Sequence, residues 1–158
     1  DPKLKYDMIY NALKRVCWPG RMQKIRQRIF YDVSHNKKGM EKTLQSLKEL
    51  YPGKDIHGLL CLKKDKDIRS LKSVILKNFK TLFISDDKKG FLLKPTILEQ
   101  ELTKVNIKCK SVSSIKHGSE AIKNLVKNNS SVGLIFGSHY IAEEVFYAFE
   151  IPFDNYYI

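Results

Sequence analysis

Four polar side chains follow one another closely after an apolar stretch in the first quarter of the chain. Asp32, Ser34, His35 and Asn36 place a carboxylate, a hydroxyl, an imidazole and an amide on one short turn. Such a set can bind and orient a polar substrate, and a folded core does not require it. A structural explanation is also open, because Asn36 or Ser34 could cap the next helix and His35 could be a structural histidine.

A second turn that could hold an anion follows the last predicted strand. Gly137, Ser138 and Tyr140 lie where a helix is predicted to begin. Glycine permits close approach of the backbone, and the first N–H groups of a helix favour a carboxylate or a phosphate. Ser138 could equally serve only as the N-cap of that helix.

A third candidate is the arginine of the segment Trp18-Pro19-Gly20-Arg21. Pro19 and Gly20 predict a turn that would project Arg21 from a fixed backbone. A guanidinium placed in this way suits a phosphate. The alternative is a helix stop followed by an incidental surface arginine.

These three turns lie between segments whose apolar periodicity predicts strands and helices. The predicted helices are 3–15, 38–50, one marked by Ile68, Leu71, Val74 and Ile75, 96–103, 119–127 and 139–149. The predicted strands are 27–33, 56–62, 80–85, 105–110 and 131–136.

This alternation of strands and helices predicts an α/β fold, with a mainly parallel Rossmann-like sheet and helices on both faces. In such sheets ligands collect at the carboxyl ends of the strands. The turns after the first and last predicted strands are therefore expected at the ligand-binding edge.

Length and composition exclude several classes of protein. The chain has 158 residues, of which 42% are apolar, enough for one well-formed core. No apolar run approaches the roughly 20 residues of a membrane span, and no secretory signal opens the chain. Cys17, Cys61 and Cys109 fit neither a disulfide framework nor a zinc site. We therefore expect a cytoplasmic protein that contacts no membrane.

The net charge of +12 raises the question of nucleic acid. Most of the 29 basic residues are lysines that are spread along the whole chain, and only five are arginines. The densest stretch, 63–67, is interrupted by acidic residues. A dedicated nucleic-acid surface usually clusters its basic residues and mixes in arginine and aromatic side chains. Nucleic acid is therefore not the expected partner.

Together, the motifs and their order resemble a known family. The segment Trp18-Pro19-Gly20-Arg21-Met22-Gln23, the turn from Asp32 to Asn36 and the late Gly137-Ser138-His139-Tyr140 are similar to the carboxy-terminal domain of folylpolyglutamate synthase/dihydrofolate synthase, in the Mur ligase superfamily. Asp65-Lys66-Asp67 is similar to this family's Asp-Lys-Asp turn. Two departures are Lys37, where the family usually has proline, and the pair Val33-Ser34, where small residues are common.

The resemblance implies a ligase that uses ATP and Mg²⁺ to convert a carboxylate into an acyl phosphate, which glutamate then attacks. It implies that Arg21 and Asp32 contact the nucleotide, that His35 and Asp32 are catalytic, and that His35 and Ser138 bind glutamate. No metal ligand is expected in this chain, and Mg²⁺ would be held mainly by an amino-terminal domain. The substrates would be ATP, folate or dihydropteroate, and L-glutamate.

No Gly-x-x-x-x-Gly-Lys-[Ser/Thr] phosphate loop occurs in the sequence. In the family that the motifs resemble, this loop belongs to the amino-terminal domain. The resemblance therefore implies that residues 1–20 are a linking helix and turn from an amino-terminal ATPase domain, and that residues 21–158 are the Mur-ligase-type carboxy-terminal domain. We expect the chain alone to have no ligase activity and the parent protein to be monomeric. The alternatives are the same domain of a peptidoglycan-precursor Mur ligase, or a basic nucleic-acid-binding module.

Overall fold

The computed structural model describes residues 6–15 and 18–152 of the chain, which fold into one sheet with helices on its two faces. The strands are β1 (Gln23–Arg26), β2 (Ile29–Asp32), β3 (Asp55–Leu60), β4 (Thr81–Ile84), β5 (Cys109–Ser111) and β6 (Ser131–Phe136). The helices are α1 (Tyr6–Arg15), α2 (Lys37–Leu50), α3 (Ile68–Asn78), α4 (Pro95–Thr103), α5 (Ile115–Leu125) and α6 (Ala142–Ala148), and a 3₁₀ turn (His139–Ile141) precedes α6.

The sheet has the strand order β1-β2-β6-β3-β4-β5. Strands β2, β6, β3, β4 and β5 run parallel to their neighbours, and only β1 is antiparallel, at one edge. All six residues of β6 are buried, as expected for a central strand that is covered on both faces. The predicted α/β fold with a mainly parallel sheet is confirmed.

Two apolar cores lie on the two faces of the sheet. Helices α2, α3 and α4 cover one face with residues at helical spacing, such as Met40, Leu44 and Leu47 of α2. Helices α5 and α6 cover the other face, where Ile122 and Phe146 belong to the second core. The sheet edge where β2, β6, β3, β4 and β5 end is left to the loops, and we call it the carboxyl edge.

The first predicted strand differs from the structure. Instead of one strand over 27–33, the chain forms a hairpin of β1 and β2, and Arg28 in its turn has φ of 59°. The Arg28 guanidinium donates hydrogen bonds to the Val126 carbonyl (2.8 Å) and to Asn129 Oδ1 (2.7 Å). These two contacts, with residues a hundred positions away, stabilise a turn conformation that a non-glycine residue adopts rarely.

Three other elements begin at least three residues away from their predicted positions. Helix α5 begins at Ile115, four residues before the prediction, because the Ser114 hydroxyl caps it by accepting a hydrogen bond from the His117 N–H (3.2 Å). The strand predicted over 105–110 is the shorter β5. The helix predicted over 139–149 starts as the 3₁₀ turn, and only α6 is α-helical.

Helix α1 lies within the predicted range 3–15, and its described side chains, those of residues 6–12, are all exposed. Met8 is 62% exposed and Ile9 is 41% exposed. The first residues of the predicted helix, 3–5, and Cys17 lie outside the described residues. None of the helices in the described ranges combines the length and apolar character that crossing a lipid bilayer requires.

Candidate functional site

Asp32 ends β2 at the carboxyl edge and is the centre of the candidate site. Its side chain is buried, and its two carboxylate oxygens accept hydrogen bonds from the backbone N–H groups of Met22 and Ser34, both at 2.8 Å. Its backbone carbonyl accepts a hydrogen bond from the Gly137 N–H at 3.3 Å. One residue thus connects the turn that carries Arg21, the turn that carries His35 and the turn that carries Ser138.

The turn before β1 places Arg21 at the surface. The Arg21 N–H donates to the Trp18 carbonyl (3.0 Å), and the Gly20 N–H donates to the Gln23 side-chain oxygen (2.9 Å). Gly20 has φ of 69°, and a Cβ at this position would lie 2.6 Å from the Val33 side chain, so only glycine fits. The Arg21 side chain forms no hydrogen bond or ion pair with any described residue, which leaves its charge available to an anion.

The turn between β2 and α2 contains one polar side chain that caps a helix, Asn36, and one that keeps a ring nitrogen free for a ligand, His35. The Asn36 side chain caps α2 by accepting a hydrogen bond from the Gly39 N–H (2.9 Å), so the capping alternative is correct for Asn36. Ser34 is buried. The half-buried His35 hydrogen-bonds through Nδ1 to the Val33 carbonyl (3.0 Å). Because a carbonyl can only accept, Nδ1 carries the proton and the lone pair of neutral His35 is on Nε2.

The turn after β6 is tightly packed. Gly137 has φ of 110°, and a Cβ there would lie 2.6 Å from the backbone oxygen of Cys61. The Tyr31 hydroxyl donates to the Ser138 carbonyl (2.8 Å). Burial raises the pKa of the Tyr31 phenol, which keeps this donor protonated. The Ser138 side chain is therefore held at the carboxyl edge next to Gly137.

Ser138 is the N-cap of the 3₁₀ turn, which agrees with the capping alternative given for this residue. Its hydroxyl oxygen accepts a hydrogen bond from the Tyr140 N–H (3.1 Å). The element that begins here is a single 3₁₀ turn, so a full α-helix dipole does not point at the site as expected. The cap uses the oxygen of Ser138 and leaves its O–H able to donate to a ligand.

The turn after β3 lies at the same edge, because β3 runs parallel to its neighbour β6. Asp67 caps α3 by accepting a hydrogen bond from the Arg69 N–H (2.8 Å). Asp65 forms exposed ion pairs with Lys63 (3.3 Å) and Lys66 (3.5 Å). This turn therefore places both acidic and basic side chains at the carboxyl edge.

The two described cysteines lack the features of reactive groups. Cys61 is completely buried, Cys109 is half-buried, and neither is in a disulfide. Burial raises the pKa of both thiols, which disfavours the thiolate that nucleophilic and metal-binding cysteines need. Cys17 lies outside the described residues.

The structure brings the predicted residues to one edge without joining them directly. Within the described ranges, no hydrogen bond links the side chains of Arg21, His35 and Ser138; Asp32 connects their turns instead. Sequence reasoning missed Gln23 and Tyr31, which hold two of these turns by side-chain hydrogen bonds. Their signal was weak, since each is one polar group within a strand.

Comparison with known proteins gives one family and one fold. A family model described as "Mur ligase, glutamate ligase domain" matches residues 20–139. No curated protein sequence matches this chain significantly.

Several solved structures share the fold at low sequence identity. Mycobacterium tuberculosis folylpolyglutamate synthase complexed with ADP and AMPPCP has a TM-score of 0.80 at 17% identity, covering 95% of this chain and 36% of its own. E. coli FolC in complex with DHPP and ADP has a TM-score of 0.78 at 17% identity, covering 94% of this chain and 35% of its own. A bifunctional folylpolyglutamate synthase/dihydrofolate synthase with Mn, AMPPNP and L-glutamate bound has a TM-score of 0.74 at 16% identity, covering 94% of this chain and 36% of its own.

This chain therefore spans about a third of the length of the proteins whose fold it shares. The family model covers most of the chain, from the Gly20 turn to the turn after β6, and so includes Arg21, Asp32, His35 and Ser138. The chain belongs to the Mur ligase family, as its glutamate ligase domain.

Proposed function

We propose that this chain is the carboxy-terminal domain of an ATP-dependent ligase that adds glutamate to folate or dihydropteroate through an acyl phosphate. The observation that carries the proposal is the junction at Asp32, which holds the Arg21, His35 and Ser138 turns together at the carboxyl edge. The nucleotides, DHPP and L-glutamate named with the similar structures support it. Residues 1–20 would link this domain to an amino-terminal ATPase domain.

Arg21 is the proposed phosphate ligand. It is exposed at the carboxyl edge, its backbone is fixed by the turn from Trp18, and its guanidinium is not engaged by another described residue. Negative charge accumulates on the phosphoryl group during transfer, and a fixed guanidinium stabilises that charge. Arg21 would thereby lower the barrier to acyl phosphate formation.

Asp32 is proposed to act at the nucleotide mainly by position. Both of its carboxylate oxygens already accept backbone hydrogen bonds, from Met22 and Ser34. Each oxygen keeps a second lone pair, which could accept a hydrogen bond from a ribose hydroxyl. The carboxylate thus holds the backbone next to Arg21 in place and contributes an acceptor where the nucleotide would lie.

His35 and Ser138 are the proposed glutamate ligands. The hydrogen bond from His35 Nδ1 to the Val33 carbonyl leaves Nε2 as an acceptor, which suits the amino group of glutamate. The Ser138 O–H can donate to a carboxylate of the same molecule. Holding the amine and the acyl phosphate in a reactive orientation is the main contribution expected of these residues.

The described residues fit a nucleotide phosphate better than a metal ion. Within them, no group of three or more His, Cys, Asp or Glu side chains is placed to hold a metal. Mg²⁺ would supply charge neutralisation on the phosphates, and its protein ligands are proposed to lie mainly in the amino-terminal domain. In this chain, Arg21 is the side chain proposed to bind the phosphates themselves.

The test uses the full-length protein that contains this chain. ADP release should require ATP, glutamate and either folate or dihydropteroate. Arg21→Ala should lower kcat/KM for ATP at least about tenfold, while stability changes by no more than about 0.5 kcal/mol because the side chain is exposed and unpaired. His35→Ala should raise KM for glutamate more than KM for ATP.

Arg69→Ala is the matched control, since Arg69 is an exposed arginine outside the Arg21 turn. It should leave kcat/KM unchanged. ADP release that depends on a peptidoglycan precursor and a different amino acid would contradict the folate assignment. Equal losses in the Arg21 and Arg69 variants would contradict the role of Arg21.

A further inference from the structure

A cleft of about 290 Å³ lies at the edge of the sheet opposite the candidate site. The turn that joins β1 to β2 forms one wall, and the end of α5 forms the other. The lining includes four basic side chains, those of Arg26, Arg28, Lys123 and Lys127. No Asp or Glu is among the described residues that line it. Positive charge therefore surrounds a space near the lower end of the size range of ligand pockets.

The cleft is separate from the candidate site. Ile29, on the wall of the cleft, begins β2, and Asp32, at the candidate site, ends it. The three steps between these residues span about 10 Å of strand. A small ligand in the cleft would therefore not occupy the carboxyl edge.

Arg28 is held against the end of α5 by neutral acceptors. Its guanidinium donates to the carbonyls of Val126 (2.8 Å) and Asn128 (3.2 Å) and to Asn129 Oδ1 (2.7 Å). Its Nε is buried and has no acceptor among the described residues. The carboxyl end of a helix carries only about half a negative charge, so these contacts orient the guanidinium without neutralising it.

Lys123 is also held in place without a carboxylate. Its ammonium donates to the Ala148 carbonyl and lies 4.5 Å from the centre of the Phe149 ring. Lys54 adds a further cation nearby, since it donates to the Asn129 carbonyl. A carbonyl is a neutral acceptor, so both ammonium groups keep their full charge.

Arg26 and Lys127 are the cations of the cleft that are available to a ligand. Both are exposed, and neither forms a hydrogen bond or ion pair with another residue in the described ranges. Glu120 on α5 and Glu150 just after α6 are the acidic residues on neighbouring segments. Both are exposed, lie outside the lining, and form no described ion pair with the cations of the cleft. No described carboxylate within ion-pair distance therefore neutralises the cleft.

The chemistry of the cleft favours a small anion with several charges. Arginine and lysine together suit phosphate groups, because the planar guanidinium can bind two oxygens and the ammonium adds charge. A single carboxylate would leave most of the positive charge unmatched. A nucleic-acid strand usually stacks its bases on aromatic side chains, and no aromatic residue is among the described residues of the lining.

We propose that this cleft binds a small oligophosphate anion, with Arg26 and Lys127 as its principal ligands. Arg28 and Lys123 contribute positive charge from fixed positions. The site does not depend on the proposed function, since it lies on the opposite edge of the sheet. Binding weakens as ionic strength rises, because exposed charge pairs are screened by salt.

The test titrates the ¹⁵N-labelled 158-residue chain with pyrophosphate, with acetate at the same ionic strength, and with a single-stranded RNA of about ten nucleotides. Pyrophosphate should shift the backbone amide signals of residues 26–29 and 123–127, and at these signals it should bind at least about tenfold more tightly than acetate. The double variant Arg26→Gln/Lys127→Gln should weaken this binding about tenfold, since it removes two exposed charge contacts. Its urea midpoint should match that of the natural chain, because both side chains are exposed.

The matched control is Arg69→Gln/Lys42→Gln, which removes one arginine and one lysine that are exposed and lie outside the cleft. It should change pyrophosphate affinity less than twofold. Equal weakening by the two double variants would indicate a diffuse attraction to the whole basic chain and would overturn the site. Shifts confined to the turns of Arg21 and Ser138, shifts at the cleft that only the RNA produces, or no shift at millimolar pyrophosphate would overturn it as well.

Discussion

Replacing Asp32 with alanine should destabilise the fold by about 1.5–4.5 kcal/mol. The Ser34 N–H, which donates to the Asp32 carboxylate, is buried. Leaving this N–H without an acceptor costs about 1–3 kcal/mol. The Met22 N–H is only partly buried and can rehydrate, which limits that loss to about 0.5–1.5 kcal/mol. Because small domains are stable by roughly 5–15 kcal/mol, the variant should still fold.

Urea unfolding of the 158-residue chain measures this effect. The midpoint should fall while the m-value stays constant, which reports lost stability without a change in compactness. Asp32→Asn keeps one acceptor oxygen and should give an intermediate loss. Asp65→Ala removes the same charge from exposed ion pairs and should leave the urea midpoint nearly unchanged. If Asp32→Ala unfolds at the same urea concentration as the natural chain, Asp32 does not hold the two turns.

Two other substitutions test the packing and the electrostatics of the sheet. Gly137→Ala should cost at least about 2 kcal/mol in urea unfolding, because φ is 110° and the new Cβ would lie 2.6 Å from a backbone oxygen. Gly90→Ala, with φ of 75° and open space, should cost only about 1 kcal/mol, and equal losses would refute the steric argument. Burial lowers the pKa of His57 below 6.5, so the unfolded chain binds its proton first and stability should fall as pH drops below about 6.5. His57→Gln should reduce this pH dependence, and an unchanged dependence would exclude His57 as its source.

Regular elements with a strong local pattern were predictable from the sequence. The strand predicted over 131–136 has the bounds of β6, and the helix predicted over 38–50 differs from α2 by one residue. The apolar run of β6 and the spacing of Met40, Leu44 and Leu47 carry this information locally. The motif resemblance was confirmed by the family to which the chain belongs.

Features that depend on distant residues were not predictable. Strand β1 is mostly polar, and the side-chain oxygen of its buried Gln23 accepts a hydrogen bond from the Gly20 N–H. The Arg28 turn depends on acceptors near the end of α5. The roles of Arg21, His35 and Ser138 remain predictions.

The pairing of β2 with β6 determines when the candidate site can form during folding. Tyr31 and Ser138, which are hydrogen-bonded across this pair, are 107 positions apart in sequence. Contacts between distant residues form late, because the loop between them must first be closed. During synthesis, the turns of Arg21 and His35 emerge from the ribosome well before β6 does. Ser138 therefore joins the other polar groups of the site only after nearly the whole domain has been made, which makes the completed site a reporter of complete folding.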